Sequence, residues 1–266
     1  MEILDYPSEV KGVLSFDFDG TLHLPELSPP VDTEFFEVVK ALRSQGYIWG
    51  INTGRSQMQM LGGFIEGKFP FSPDFLVARE REIYTPGKFN RWVPIRDWQK
   101  KAERDQAKVF KKAKKVLLDV RNFVENETDA SWVVEEGDPA GVIATSLEEM
   151  RRIIEFVEEH RGRCEMLGYL RNTIYLRFSH KNYHKGSAVR EVMRLSGVKR
   201  EDVFVIGDGH NDLDKLHPDV AGMIACVGNS HEEVKEHVKE HDGYVAKDEG
   251  SLGSVEALGY FFSEIL

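Results

Sequence analysis

Two aspartates, Asp17 and Asp19, close a short apolar run, Val13-Leu14-Ser15-Phe16. Residues two apart on a strand point to the same face. Both carboxyl groups therefore sit together at the C-terminal edge of a strand, where open parallel sheets bind ligands. Gly20 and Thr21 follow and let the backbone turn sharply. Alone, an Asp-x-Asp equally suits an Asx-rich turn.

The pair has company. A second apolar run, Tyr47 to Ile51, leads into Asn52-Thr53-Gly54-Arg55, a hydroxyl and free backbone N–H groups ahead of a helix. Helix N-termini of this kind attract phosphate oxygens. A third run, Val203 to Ile206, ends in Gly207-Asp208-Gly209-His210-Asn211-Asp212, and Lys185 opens a helix upstream of it. Carboxylates, a hydroxyl, an amide and an ammonium at three strand ends and a helix start form a hard-oxygen set. Such a set suits Mg²⁺, which takes one or two carboxylates plus phosphate.

The elements that must position these groups alternate. Asp32 caps a helix carrying Phe35, Phe36, Val39 and Leu42, with Gly46 at its stop, and Phe75 to Val77 is a further strand. Strand–helix alternation predicts an α/β fold with a parallel, doubly wound (Rossmann-like) sheet. The pattern changes near Thr85-Pro86-Gly87. One long amphipathic helix then runs from Arg96 to about Val124. Strands at 131–135 and 141–144 follow, then a helix opened by Ser146 and a hairpin over 165–178 turning near Leu170-Arg171-Asn172. The first style resumes at Lys185. The expected organisation is a catalytic core of residues 1–86 and 182–266, with an inserted α+β domain at 87–181.

Composition narrows the class. The 266 residues are 41% hydrophobic, and 35 basic against 45 acidic residues leave a formal charge of −10. That balance repels nucleic acid and anionic membranes at long range, so neither is expected as a partner. No apolar run has the length of a membrane helix, and the acidic start does not read as a secretory signal. Two cysteines, Cys164 and Cys226, lack zinc or redox spacing. The expected compartment is the cytoplasm.

Taken in order, four motifs resemble those of the haloacid dehalogenase-like (HAD) phosphohydrolases: Asp17-Phe18-Asp19-Gly20-Thr21, Asn52-Thr53-Gly54-Arg55, His184-Lys185-Gly186-Ser187 and Gly207-Asp208-Gly209-His210-Asn211-Asp212. The insertion between the second and third is where the type-two cap of Cof-like and sucrose-phosphatase-like members lies. The resemblance implies that Asp17 attacks phosphorus and becomes an aspartyl phosphate, and that Asp19 protonates the leaving alcohol and then activates water. It implies Mg²⁺ held by Asp17, Asp208 and the backbone carbonyl of Asp19, with support from Asp212. Thr53, Gly54, Lys185 and Asn211 would bind phosphoryl oxygens. The implied activity is hydrolysis of a small phosphomonoester, a sugar phosphate above others. A phosphomutase or phosphotransferase using the same aspartyl phosphate, and a non-catalytic binder on this scaffold, stay open beside it. Oligomeric state is not legible.

Weaker signals remain. Where Cof-like relatives often carry Asn-Gly-Ala, this chain has Ala78-Arg79-Glu80-Arg81-Glu82. Arg79 or Arg81 either contacts a second anionic group of the substrate or belongs to a solvated, self-paired turn; the turn is favoured. Tyr169, Arg171 and Asn172 lie where cap-borne specificity groups are often found, and His210 is near the site by sequence. His231, His237 and His241 read as surface. The helix from Arg96 to Arg121 holds ten basic against four acidic residues. It steers anions, touches RNA, or is a solvated face with i,i+4 pairs. The last is favoured, and the absence of aromatics on the basic side counts against single-strand binding.

Overall fold

A computed structural model of the chain describes residues 1–88, 91–135 and 138–266. They form two compact units, Met1–Gln99 with Lys185–Leu266, and Lys100–His184.

The larger unit is built on an eight-stranded sheet. Its strands are β1 (Gly12–Phe16), β2 (Tyr47–Asn52), β3 (Phe75–Ala78), β4 (Glu82–Gly87), β5 (Arg91–Pro94), β10 (Val203–Gly207), β11 (Met223–Cys226) and β12 (Tyr244–Val245), in the order β12-β11-β10-β1-β2-β3-β4-β5. From β12 to β3 all neighbours are parallel; β4 and β5 add on antiparallel. All five residues of β1 are buried, as expected for a strand covered on both faces.

The strands sort their side chains by the two-residue period. Leu14, Phe16, Trp49, Ile51, Phe204 and Ile206 pack against α1 (Thr33–Ser44), α2 (Gln57–Glu66) and α7 (Gly250–Phe261). Val13, Ile48, Val203 and Val205 pack against α5 (Lys185–Ser196) and α6 (Glu232–Glu240) on the opposite face. Doubly wound packing is the result. Register then does the positioning. Phe16 pairs with both Ile206 and Ile51, so the chain leaves β1, β2 and β10 at one edge, at Asp17, Thr53 and Asp208.

The expected boundary at 86/87 is corrected. β4 and β5 complete the larger sheet, so the chain passes into the smaller unit after Gln99 and returns at Lys185 rather than at 182. The smaller unit holds a four-stranded antiparallel sheet, order β6-β7-β9-β8: β6 (Ser131–Glu135), β7 (Asp138–Ile143), β9 (Tyr175–His180) and β8 (Leu167–Asn172). The helix α3 (Arg96–Glu127) and α4 (Leu147–Arg161) bury Val109, Val116, Val120, Met150, Ile153 and Val157 together with sheet residues such as Val142 and Phe178. The hairpin turn also moves. β8 runs through Asn172, and the reversal falls at Thr173 with φ 53°. No helix among the described residues is long and apolar enough to cross a membrane.

Candidate active site

Asp17 follows β1 directly and is 5% exposed. Its Oδ1 accepts from the Phe18 N–H at 2.7 Å and pairs with Lys185 Nζ at 2.8 Å. Asp208 follows β10, and its Oδ1 accepts from Thr21 Oγ1 at 2.7 Å. Oδ2 of each has no protein partner among the described residues. One carboxylate oxygen from each of Asp17, Asp208 and Asp212 lies within 4.8 Å of the others.

Asp212 is fully buried and fully engaged. Its Oδ1 takes two ammonium groups, Lys185 at 2.7 Å and Lys215 at 2.8 Å. Its Oδ2 accepts from the backbone N–H of Asp208 at 3.2 Å and of Gly209 at 3.1 Å. Asp212 therefore organises the loop and the two lysines, and it also offers one oxygen to the three-carboxylate cluster with Asp17 and Asp208. Gly207 permits the close fit, since a Cβ there would stand 2.3 Å from Asp212 Cγ. Gly20 does the same for Asp208: φ is 76° and a Cβ would meet Oδ2 at 2.4 Å.

The electrostatics follow from crowding. Burial and then the Asp212 charge push Asp17 well above the usual carboxylate range. The same causes push Asp208 up to about 6. Burial would raise Asp212 too, but Lys185 and Lys215 overcome it and hold it low. Burial would lower Lys185, but Asp17, Asp212 and Glu80 outweigh it and hold the ammonium charged. Three carboxylates face two ammonium groups, which leaves one uncompensated negative charge at a point with two free carboxylate oxygens. A hard divalent cation fits that donor set.

The other expected residues divide. Thr53 is buried, its carbonyl accepts from the Glu80 N–H at 2.9 Å and its Oγ1 from the Arg55 N–H at 3.1 Å, which leaves the hydroxyl hydrogen to donate. Gly54 is close by, with a Cβ position 3.6 Å from Glu80 Oε1. Asn211 Nδ2 donates to that same Oε1 at 2.7 Å. Asp19 is not among the three clustered carboxylates. Its side chain is half-exposed and paired with Arg55.

Several participants were not read from sequence. Lys215 is completely buried three residues after Asp212; a lysine between Leu213 and Leu216 on a helical turn is the signal that points to it. Thr21, Arg55 and Glu80 each touch an expected residue. The 79–82 turn is self-paired as expected, but it is not solvated at Glu80 and Arg81. Glu80 and Arg81 are 3% and 4% exposed, and Arg79 and Glu80 adopt φ of 47° and 61°. Arg79 pairs with Glu82 at 3.4 Å, and Trp98 Nε1 donates to the Arg81 carbonyl at 2.6 Å. His210 pairs with Glu233 at 2.6 Å. His237 and His241 are half-buried with their rings 4.4 Å apart, not free surface groups, because the His237 ring reaches the Leu216 carbonyl. Tyr169 Oη donates to Glu158 at 2.7 Å and Arg171 Nε to the Thr173 carbonyl at 3.2 Å.

Known proteins carry the same architecture. The sucrose-phosphatase of Synechocystis sp. PCC6803, solved with sucrose and phosphate, has a TM-score of 0.73 at 15% identity, over 95% of this chain and 98% of that one. A phosphatase of the haloalkanoate superfamily from Bacteroides thetaiotaomicron gives 0.67 at 18% identity, over 99% of each chain. These are likenesses of fold. In sequence, 80 residues are 32% identical to the phosphoglycolate phosphatase of Methanosarcina acetivorans, covering 30% of this chain and 33% of that relative. The match thus spans about a third of the relative's length. The family model described as haloacid dehalogenase-like hydrolase matches residues 64–250. That is well over half of the chain, and it covers the strand, loop and lysine that surround Asp208: this protein belongs to the haloacid dehalogenase-like hydrolases.

Proposed function

We propose that the protein is a phosphatase that hydrolyses a small phosphomonoester, of the sugar-phosphate class, through an aspartyl phosphate on Asp17. One observation carries this reading. Asp17 has one oxygen pinned by an amide and an ammonium, and the other without a protein partner at the edge of the sheet. A carboxylate oriented in this way presents one lone pair along a fixed line, which is what in-line attack on phosphorus requires.

The roles then follow in sequence. Asp17 Oδ2 attacks phosphorus, and the bond to the leaving oxygen breaks as Asp19 donates its proton. Water next attacks the phosphorus of the aspartyl phosphate, Asp19 takes the proton, and phosphate and free Asp17 are restored. The Thr53 hydroxyl, the Gly54 N–H, Lys185 and Asn211 bind the phosphoryl oxygens. Asp17 and Asp208, with the carbonyl of Asp19, are the residues that would hold a divalent cation, Mg²⁺ by donor chemistry. When bound, that cation would neutralise charge on the phosphoryl oxygens and on the crowded carboxylates. Asp212 sets the position of Lys185 and of the Asp208 loop.

The names of the relatives, a sucrose-phosphatase and a phosphoglycolate phosphatase, support a small phosphomonoester. The Lys100–His184 unit is assigned the cap role of such proteins, where substrate selectivity resides. Two free, buried cysteines fit a reducing cytoplasm. A panel of p-nitrophenyl phosphate, sugar phosphates and 2-phosphoglycolate tests the reading, with Mg²⁺ or with chelator. Phosphate release is expected to vanish with chelator and in Asp17→Asn. Release that survives Asp17→Asn would overturn it.

A further inference from the structure

The basic stripe of α3 meets a cavity that the hydrolytic chemistry does not use. Asp105, Lys108, Val109 and Lys112 recur at helical spacing. They line an open cavity of about 390 Å³ with the 163–166 segment and His180. Every lining residue belongs to the Lys100–His184 unit, and none belongs to the Asp17 centre.

The charges around this cavity do not cancel. Asp105 is already occupied: it accepts from Tyr183 Oη at 2.8 Å and pairs with Arg104 at 3.7 Å. Glu165 points into solvent, 86% exposed, with Lys181 at 3.2 Å. Arg163 shares Asp119 at 3.0 Å. Lys108 and Lys112 have no carboxylate within ion-pair distance among the described residues. Lys108, Lys112 and Arg163 thus line one small space against the two carboxylates of Asp105 and Glu165, a net positive lining on a chain whose formal charge is −10.

His180 supplies a directional donor. It is 7% exposed, and its Nδ1 accepts from the Asn182 N–H at 3.2 Å. That bond fixes the tautomer, so the ring hydrogen is on Nε2. Nε2 has no protein partner among the described residues. Burial, helped by Lys101 and Lys181 and opposed by Asp105, lowers the ring's affinity for a proton and keeps it a neutral donor. Paired lysines with a buried N–H donor match a tetrahedral or planar oxyanion, and the volume falls at the small end of ligand pockets.

We infer that this cavity is a second anion site, which binds a small phosphate-bearing metabolite through Lys108, Lys112 and His180. The cations serve recognition rather than reaction, and no bond changes. The ligand's source is either inorganic phosphate or a phosphate ester, since both present the same oxygens.

The test is a titration of the full-length protein in chelator, which stops turnover, at ionic strength held constant with chloride. The His180 ring C–H signal is followed by NMR and identified with His180→Gln. Inorganic phosphate and glycerol 2-phosphate are titrated separately. A saturable shift with either anion is expected, and the tighter one names the source. Lys108→Gln/Lys112→Gln is expected to weaken binding at least about tenfold. Lys111→Gln/Lys114→Gln, the same loss of charge on the same helix outside the cavity, is expected to change it less than about twofold. The inference is overturned by no saturable shift, by equal weakening in both double variants, or by a shift lost in Thr53→Ala and kept in Lys108→Gln/Lys112→Gln.

Discussion

Arg55 grips the carboxylate of Asp19 with two parallel hydrogen bonds, Nε to Oδ2 at 2.9 Å and Nη2 to Oδ1 at 2.5 Å. Its guanidinium lies 4.8 Å from the centre of the Phe18 ring. Two aspartates separated by one residue therefore answer to different cations: Asp17 to the buried Lys185, Asp19 to a half-exposed arginine. This is the asymmetry that the proposed nucleophile and acid–base roles require.

In the proposed mechanism Arg55 is a positioning residue for Asp19, and a lysine cannot reproduce its fork. Arg55→Lys is expected to lower kcat on alkyl phosphates by roughly 10–100-fold, and to cost much less on p-nitrophenyl phosphate, whose leaving group needs no proton. Equal losses on both substrates would remove Arg55 from the acid step.

Lys215 is tied to Asp212 rather than to substrate. Lys215→Met leaves a buried carboxylate with one ammonium instead of two, which is expected to destabilise the fold by about 1–3 kcal/mol in urea denaturation. Asp212→Asn removes the same interaction from the other side. In the double variant the two losses should fall short of their sum. Strict additivity would mean that the pair contributes nothing to stability.

Asp208 gives a prediction of opposite signs. Its folded value of about 6 lies above the unfolded 3.8. A carboxylate raised in this way favours the folded state at low pH, and that advantage is lost as pH climbs from about 4 through 6. At pH 7, in chelator, Asp208→Asn is therefore expected to raise stability, by on the order of 1–3 kcal/mol, while abolishing stabilisation by added Mg²⁺. In the unmutated protein, apparent Mg²⁺ affinity should fall as pH drops below about 6, because protons compete for Asp208. Thermal melts with and without Mg²⁺ between pH 5 and 8 read both effects. A variant that loses stability without metal, or keeps its response to Mg²⁺, would contradict the assignment.

Glu80 holds Asn211 from a strained backbone position. Glu80→Ala frees the amide and is expected to raise KM by about tenfold with a smaller change in kcat, whereas Glu80→Gln retains an acceptor and recovers most of the loss. A change in kcat alone would point to a different role.

Sequence legibility tracked locality. The apolar runs that became β1, β2 and β10 declare themselves because each strand is buried on both faces. Once they are parallel neighbours, Asp17, Thr53 and Asp208 have to meet at one edge. β4 and β5 stayed hidden because Pro86-Gly87 reads as a break. Their stability comes from pairing with each other and with β3, not from local propensity. Glu80 was hidden for the same reason: its αL backbone makes sense only beside Asn211, 131 residues away. Lys215 looks like an ordinary charged residue until Asp212 is seen to need two counter-ions.

The most direct test is to quench the enzyme in acid during turnover of a phosphomonoester with Mg²⁺ and to map the acid-stable, base-labile acyl phosphate by mass spectrometry. A single phosphoryl group on Asp17, absent in Asp17→Asn and without chelatable metal, is the expected result. Turnover with Asp17 unmodified, or the label on Asp19 or Asp208 instead, would contradict the account.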